Sequence, residues 1–231
     1  MEIVFEDSQV LVCRKEAGLA VQSGRVGAPD LVSMLKNRLW EREGKEPYLG
    51  VVHRLDQPVE GLLVFAKTKK AAASLSAQVQ DGRMVKQYLA VTLPEKEEIP
   101  IQGRLEDWLL QDRASNSSRI VPKETRGARK AVLEYRILKT WNVPGGEGEK
   151  ESRAALAQIR LFTGRHHQIR VQMAGAGMPL AGDRKYGSGN FGKGDFPALC
   201  AWSLAFIHPG TGKEMAFQCR PEGRYFPAGG A

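Results

Sequence analysis

The order of hydrophobic and polar positions along the chain predicts strands interrupted by a few helices. The first apolar segments, EIVFED and VLVCRKE within 2–15, are typical of two short strands joined by a turn. Leucines at helical spacing predict a helix over 30–43, with Asp30 as its N-cap and Gly44 at its end. The unbroken apolar run at 62–66 is typical of a buried strand.

The rest of the chain continues in the same way. Helical spacing predicts a helix near 69–80, and a third helix opens in the segment TGRHHQIR. Alternating positions predict strands at 86–93, 131–139 and 155–162, and a hairpin of 199–208 with 213–221. A loop rich in glycine and charge, 143–152, separates two of them. Because helices interrupt the strands irregularly, we expect a mixed α+β sheet in one domain, 1–231, rather than repeated βαβ units.

Composition bounds the class of protein. The chain has 231 residues, of which 42% are hydrophobic and 26% charged, as in soluble globular proteins. No apolar stretch has membrane-spanning length, and the first residues, MEIVFEDSQV, lack the basic head and apolar core of a signal peptide. We therefore expect a cytoplasmic protein without a membrane partner.

The charge balance indicates the partner. The 34 Lys and Arg residues exceed the 26 Asp and Glu residues, which gives a net charge of +8. Such an excess favours a polyanion, because basic side chains release counterions from a phosphate backbone. Composition alone leaves a merely basic cytosolic protein as the alternative.

Cysteines and histidines indicate neither a disulfide framework nor a metal site. Cys13, Cys200 and Cys219 are odd in number and widely spaced, so we expect reduced, mostly buried thiols. The four histidines form no ligand pattern with nearby carboxylates. The expectation is a protein without metal or organic cofactor.

Three distant segments place reactive or basic residues at the edges of apolar elements: HRLD at 53–56, KQY at 86–88 and TGRHHQIR at 163–170. Singly, each has an ordinary interpretation. Arg54 and Asp56 could be a solvated pair in a turn, and Tyr88 could be a core aromatic. The third segment could be only an anion-binding corner at the start of a helix.

Together with PLAGDRKYG at 179–187, these segments resemble the RluA-type RNA pseudouridine synthases, with the same order and spacing from about residue 1 to 220. The resemblance implies a pseudouridine synthase fold, whose curved, largely antiparallel sheet is flanked by helices and carries a central basic cleft. It also implies a monomer that isomerises specific uridines in structured rRNA or tRNA. The chain begins close to the first catalytic-domain strand, so we expect no N-terminal S4 domain.

The resemblance also implies roles for individual residues. Asp56 matches the family's catalytic aspartate, Tyr88 would stack on the flipped uracil, and Arg170 would keep Asp56 ionised. The residues expected to bind substrate are Arg54, which would occupy the space left by the extruded base, together with His53, Arg165, Gln168 and Leu199.

The chain departs from the family pattern just before the glycine of its first motif. Many members carry a pair of small hydroxyl residues there, whereas this chain has Val59 and Glu60. Glu60 adds a negative charge four residues from Asp56, which leaves the substrate and the rate open.

Two rival functions remain. The same fold could serve as a non-catalytic RNA-binding or RNA-chaperone module, although such a module would not require Asp56, Tyr88 and Arg170 together. A metal-independent RNA hydrolase or glycosidase would need a second carboxylate, for which Glu60 is the only local candidate.

Overall fold

The computed structural model describes residues 1–24, 27–143, 152–187 and 195–227, and within them the chain forms eleven strands and three helices. The strands are β1 (Glu2–Glu6), β2 (Val10–Lys15), β3 (Gly50–Val51), β4 (Glu60–Ala66), β5 (Val85–Thr92), β6 (Gln102–Asp112), β7 (Ser117–Val121), β8 (Arg129–Val143), β9 (Ser152–Leu161), β10 (Leu199–Ile207) and β11 (Glu214–Gln218). The helices are α1 (Leu31–Glu43), α2 (Lys69–Gln80) and α3 (Gln168–Gly175). Strands and helices are not in regular alternation, and the predicted α+β class is confirmed.

Two compact units make up the chain. The first contains Met1–Lys86 and Ala201–Arg220, and the second contains Gln87–Cys200 and Pro221–Ala231. The hydrogen-bonded strands of the first unit have the order β1-β2-β4-β10, and β11 pairs with β10 and β3 with β4. Those of the second follow the order β5-β9-β8-β6-β7.

The first unit builds its core from alternate residues of its strands and one face of α2. In the antiparallel pairing of β2 with β4, Val12 lies opposite Val64, and both are fully buried. Leu75 of α2 packs into the same cluster, as does Phe206 of β10. Both faces of β4 are buried, which explains its continuous apolar sequence.

Both predicted helices of the first unit form where their sequences indicate. The Asp30 carboxylate accepts the backbone N–H of Ser33 at 2.8 Å, and α1 ends at Gly44 with a left-handed φ of 66°. The Thr68 hydroxyl caps α2 by accepting the N–H of Ala71 at 3.1 Å. Such caps stabilise a helix by about 1 kcal/mol each.

The second unit is an antiparallel sheet with α3 against it. The long strand β8 pairs with β6 on one side and β9 on the other. Val171 of α3 packs with Leu109 of β6 and Ala131 of β8 in a small buried cluster. This packing anchors the helix that follows the TGRHHQIR motif.

Two strands of this unit, β6 and β7, were not predicted from the sequence. The segments that form β6 and β7 carry charged or polar side chains at most outward positions and few apolar ones, and β6 alternates only weakly between buried and exposed. β6 pairs with β8, and β7 pairs in turn with β6, so their strand conformation is imposed by tertiary pairing rather than by the local sequence pattern. The third helix begins at Gln168, within the TGRHHQIR segment as predicted, and residues 163–167 precede it as a loop.

Apart from the two-residue β3, which falls in a segment predicted as a loop, the remaining strands agree with the prediction to within a few residues. The predicted hairpin forms, with Ile207 of β10 opposite Glu214 of β11. The predicted loop at 143–152 falls almost entirely on 144–151, outside the described residues. Cys13 and Cys200 are buried, as expected for structural thiols. Among the described residues, no helix is long and apolar enough to cross a membrane.

Replacement of Gly61 by alanine should strongly destabilise the protein. Gly61 has a φ of +125°, and a Cβ added there would lie 2.5 Å from both the backbone N and O of Ala201. Strain and overlap with a neighbouring strand should together lower the free energy of unfolding by about 3 kcal/mol or more. Urea denaturation measures this.

Gly44→Ala is the matched control, because Gly44 also has a positive φ but nothing lies within 4 Å of an added Cβ. Its cost should be only about 1 kcal/mol. Equal losses for the two variants would contradict the close approach at Gly61.

Candidate active site

The HRLD segment lies in the first unit, in the loop that leads into β4. The Asp56 side chain is half-buried, and the Asp56 carbonyl accepts the N–H of Val59 at 3.0 Å, which closes a tight turn. Arg54 is exposed, and its guanidinium donates to the side-chain oxygen of Gln22 at 2.9 Å. Within this loop Arg54 is thus exposed to solvent, while the turn closed by Val59 leads directly into β4.

His53 holds the start of this loop against the strand that follows it. Its ring is buried, and Nε2 accepts the backbone N–H of Val64 at 3.2 Å. Burial, with a further contribution from the charge of Lys86, lowers the pKa of His53 to about 3. The ring is therefore neutral at physiological pH, and its contacts are those of a positioning residue.

A buried lysine supports the loop from the end of β2. The Lys15 side chain has no solvent exposure, and Nζ donates to the carbonyls of Glu16 at 2.9 Å, Leu19 at 2.8 Å and Gln57 at 2.9 Å. Gln57 directly follows Asp56. Lys15 therefore ties the backbone of the candidate catalytic loop to the segment 16–19, which follows β2.

Electrostatics link Lys15 to the carboxylates nearby. Burial lowers the pKa of Lys15 to about 8, whereas the charges of Asp56 and Glu60 act in the opposite direction. Lys15 is thus mostly protonated at neutral pH. A positive charge fixed beneath the loop favours the ionised form of Asp56.

Glu60, the residue that departs from the family pattern, is neutralised locally. Its carboxylate is buried and lies 3.0 Å from Nη2 of Arg14, whose side chain is also almost fully buried. Arg14 occupies β2, next to Lys15. The extra negative charge is therefore balanced inside the strand pair.

In the second unit, Tyr88 and Leu199 are both buried. Tyr88 lies on β5, opposite Ile159 of β9, with 6% of its surface exposed. Leu199 begins β10 and is 4% exposed. Each could serve as a wall of a site or as a core residue.

The amide of Gln168 holds the TGR loop in shape. Its Oε1 accepts the hydroxyl of Thr163 at 2.8 Å and the N–H of Arg165 at 3.0 Å, and its Nε2 donates to the carbonyl of Val132 at 3.0 Å. Nε of Arg165 donates to the carbonyl of Lys130 at 2.9 Å. The contacts of Gln168 are those of a positioning residue.

Asp183, in the PLAGDRKYG segment, orients the Arg170 guanidinium. The pair is bidentate, from Nε at 2.7 Å and from Nη2 at 2.6 Å, and both side chains are almost fully buried. Asp183 also accepts the backbone N–H groups of Lys185 and Tyr186. The guanidinium carbon lies 5.0 Å from the centre of the Tyr186 ring, so Arg170 is held by an ion pair and an aromatic face together.

His167 connects this network to the TGR loop. It adopts a left-handed backbone conformation with a φ of 54°, and its Nδ1 lies 2.7 Å from the Tyr186 hydroxyl. Burial, together with the nearby charge of Arg170, lowers the pKa of His167 to about 3. The ring stacks at 3.7 Å on His166, which contacts Ser118 of β7. The two stacked histidines therefore connect the TGR loop to β7 and to the Tyr186 side chain.

The sequence-predicted residues divide between the two units. Asp56, Arg54 and His53 belong to the first, and the second contains Tyr88, Arg165, Gln168, Arg170 and Leu199. The pairing of Asp56 with Arg170 stays a prediction. Within the described parts of the chain, no three His, Cys, Asp or Glu side chains lie close enough together to hold a metal ion.

Sequence reasoning missed three supporting residues: Lys15, Arg14 and Asp183. Lys15 gave a weak signal, as a charge at the end of an otherwise apolar strand. Asp183 belongs to the PLAGDRKYG motif, but the motif by itself assigns no partner to its carboxylate. The tertiary fold determines which carboxylate pairs with which cation, and the spacing of residues in the sequence does not predict these pairs.

Comparison with known proteins agrees with the motifs. The model of the RNA pseudouridylate synthase family matches residues 9–175. Two curated relatives, each called ribosomal large subunit pseudouridine synthase D, are 32% identical in Zymomonas mobilis and 33% identical in Neisseria meningitidis serogroup A. Each match covers 94% of this chain, but the chain spans only 68% and 57% of those relatives.

Solved structures show the same fold. Human RNA pseudouridylate synthase domain containing 4 superposes with a TM-score of 0.72 at 22% identity, over 95% of this chain and 88% of the human one. The expected pseudouridine synthase fold is therefore confirmed, whereas its central basic cleft stays a prediction.

Lys15→Met should destabilise the protein, since methionine fills a similar volume but cannot donate to the three carbonyls. Carbonyls buried without a donor cost about 1–3 kcal/mol each, although Gln57 retains the N–H of Gly18. The free energy of unfolding in urea should fall by about 3 kcal/mol or more.

The matched control is Lys69→Met, at an exposed position in α2. That variant should change the free energy of unfolding by less than about 0.5 kcal/mol. If Lys15→Met were as stable as this control, Lys15 would not anchor the loop.

Proposed function

Because the chain belongs to the RNA pseudouridylate synthase family, we propose that it converts specific uridines of structured ribosomal RNA to pseudouridine, with Asp56 as the catalytic carboxylate. The observation that carries this proposal is the Asp56 loop itself, which combines a half-buried carboxylate with a buried ammonium group below it. The names of the curated relatives support ribosomal RNA as the substrate. The net charge of +8 suits such a polyanion.

The reaction is an isomerisation that needs no co-reactant. The bond from N1 of uracil to C1′ of ribose breaks, the base turns over, and C5 forms a new bond to C1′. C5 then loses its proton and N1 gains one, so that atoms and charge balance. Charge develops on the sugar and on the detached base, and the enzyme must stabilise both.

Asp56 acts on the sugar in this proposal. As a carboxylate it either attacks C1′ to form a ribosyl ester or removes a sugar proton to give a glycal-like intermediate. Both routes require the ionised form. The ammonium of Lys15 supports that form, because its interaction with the Asp56 charge is favourable.

Tyr88 and Arg170 act on the base and on the carboxylate. The ring of Tyr88 stacks on the detached uracil, and its hydroxyl assists removal of the C5 proton. Arg170 pairs with Asp56 and keeps it ionised. The bidentate contact with Asp183 occupies two of the five guanidinium N–H donors and thereby fixes the direction of the others.

The remaining predicted residues bind or position the RNA. Arg54, which is exposed, fills the gap left by the flipped base, and Arg165 contacts phosphate near the TGR loop. Leu199 forms an apolar wall for the uracil. His53 and Gln168 act indirectly, by holding the two loops through the contacts described above.

The rival functions have less support. A glycosidase would use Glu60 as its second carboxylate, but Glu60 is 5% exposed and paired with Arg14. A pure RNA-binding module would have no need for a carboxylate loop built over a buried cation. Transfer RNA as the substrate has no specific observation in its favour.

Asp56→Asn should abolish the isomerisation. Asparagine has nearly the same shape, but it cannot supply the negative charge or attack C1′. Turnover should fall by at least about three orders of magnitude. The assay is tritium release from ribosomal RNA labelled at uridine C5, isolated from a strain that lacks the gene.

RNA affinity, measured by filter binding, and the thermal melting temperature should both stay close to wild type, since Asp56 is half-buried in a loop. These two measurements are the controls for folding. Tritium release at the wild-type rate by the Asn variant would refute the role of Asp56.

Substitution of Tyr88 should separate stacking from proton transfer. Tyr88→Phe keeps the ring, so RNA affinity should persist while turnover falls by up to about two to four orders of magnitude. Tyr88→Leu should impair both. If Tyr88→Leu turned over like wild type, Tyr88 would be only a core residue of β5, and melting curves of both variants establish whether folding is intact.

A further inference from the structure

A polar groove lies on the sheet of the second unit. It has a volume of about 560 Å³ and lies across β5, β9, β8 and β6. Glu134, Tyr135 and Gly103 contribute to its lining, but most of the lining consists of guanidinium and amide side chains: Gln87, Gln102, Arg104, Arg136, Gln158 and Arg160. We call it the arginine groove.

The arginine groove opens on the opposite face of β5 from Tyr88. Successive side chains of a strand point to opposite faces, and Gln87 immediately precedes Tyr88. The amide of Gln158 donates to the side-chain oxygen of Gln87 at 2.9 Å, which places both on the groove face. The groove is therefore a surface separate from the one that Tyr88 faces.

Within the described residues, Glu134, the carboxylate of the groove lining, forms an ion pair with Arg104 and with neither of the other two arginines. Arg104 is neutralised by Glu106 and Glu134 at 2.8 and 2.9 Å. Arg136 and Arg160 are exposed, and among the described residues neither forms an ion pair. An anion entering the groove would therefore meet two cations that are available to it.

An exposed aromatic ring stands at the edge of the same surface. Phe162 directly follows β9 and is 46% exposed, which is unusual for a phenylalanine. The guanidinium carbons of Arg104 and Arg160 lie 5.1 and 5.0 Å from the ring centre. A ring held between cations on an open antiparallel sheet is a platform on which an unpaired base can stack.

We propose that the arginine groove binds a single-stranded segment of the RNA, at a site distinct from the target uridine. Arg136 and Arg160 contact phosphates, Phe162 stacks a base, and the glutamine amides hydrogen-bond to base edges. The proposal rests on the proposed function in that the RNA is the substrate. A protein partner would be expected to bury an apolar patch, whereas the groove offers amides and guanidinium groups.

The experiment compares binding of a single-stranded oligouridine, twelve nucleotides long, to the full-length protein and its variants. Arg136→Gln/Arg160→Gln should weaken binding at least about tenfold, since a single hydrogen bond to a charged group contributes that factor. The slope of log K against log salt should become shallower by about 1.4, which is two phosphate contacts at about 0.7 each for a single strand. Phe162→Ala should weaken binding about fivefold or more.

The matched control removes the same two charges from another surface. Arg38 in α1 and Lys70 in α2 are exposed residues of the first unit, and Arg38→Gln/Lys70→Gln should change affinity less than twofold. Ultraviolet crosslinking should attach uridine to the peptide that contains Phe162, a signal that a purely structural role would not give. Thermal melting checks that each variant is folded.

The outcomes separate this proposal from the proposed function. Equal losses for the groove variant and its control, or no crosslink at Phe162, would overturn the groove while tritium release from ribosomal RNA could remain normal. Absence of tritium release, with groove-dependent binding intact, would overturn the isomerase and leave the groove as an RNA site. Tighter capture of acidic peptides than of oligouridine would refute RNA as the occupant.

Discussion

The buried ammonium group of Lys15 is the constraint on which the first unit's candidate site depends. Removing a charge from water is costly, and the fold offsets that cost with three carbonyls and the carboxylates of Asp56 and Glu60. One of those carbonyls belongs to Gln57, next to Asp56. Movement of the backbone that carries the Asp56 carboxylate would therefore take a hydrogen-bond acceptor away from the buried Lys15 ammonium group.

The second unit uses the same principle around Arg170. Its guanidinium is buried against Asp183 and the ring of Tyr186, and the Tyr186 hydroxyl reaches His167 at the start of α3. Each unit thus holds a buried cation in place by hydrogen bonds, Lys15 through three carbonyls and Arg170 through the Asp183 carboxylate. Loss of one partner would leave a buried charge without compensation. The free-energy cost of that loss keeps the geometry of the network rigid.

Local signals in the sequence predicted much of the fold. Asp30 and Gly44 bound α1, and the apolar run before Lys67 forms β4, because capping and burial leave direct traces in the sequence. The strands β6 and β7 left no such trace, since they form by pairing, β6 with β8 and β7 with β6. The motif residues were also recognisable, whereas Lys15 and Asp183 were not, because their roles depend on contacts between distant segments.

The pair Val59 and Glu60 shows how one departure from the family pattern can be accommodated. A pair of small hydroxyl residues would be neutral and could hydrogen-bond locally, whereas Glu60 brings a charge into a buried strand. Arg14 supplies the opposite charge from the neighbouring strand, at 3.0 Å.

Arg14 and Lys15 bring two cations to β2, and Glu60 brings one anion to β4. The buried charge of Glu60 is therefore best understood together with Arg14, as one ion pair between two neighbouring strands.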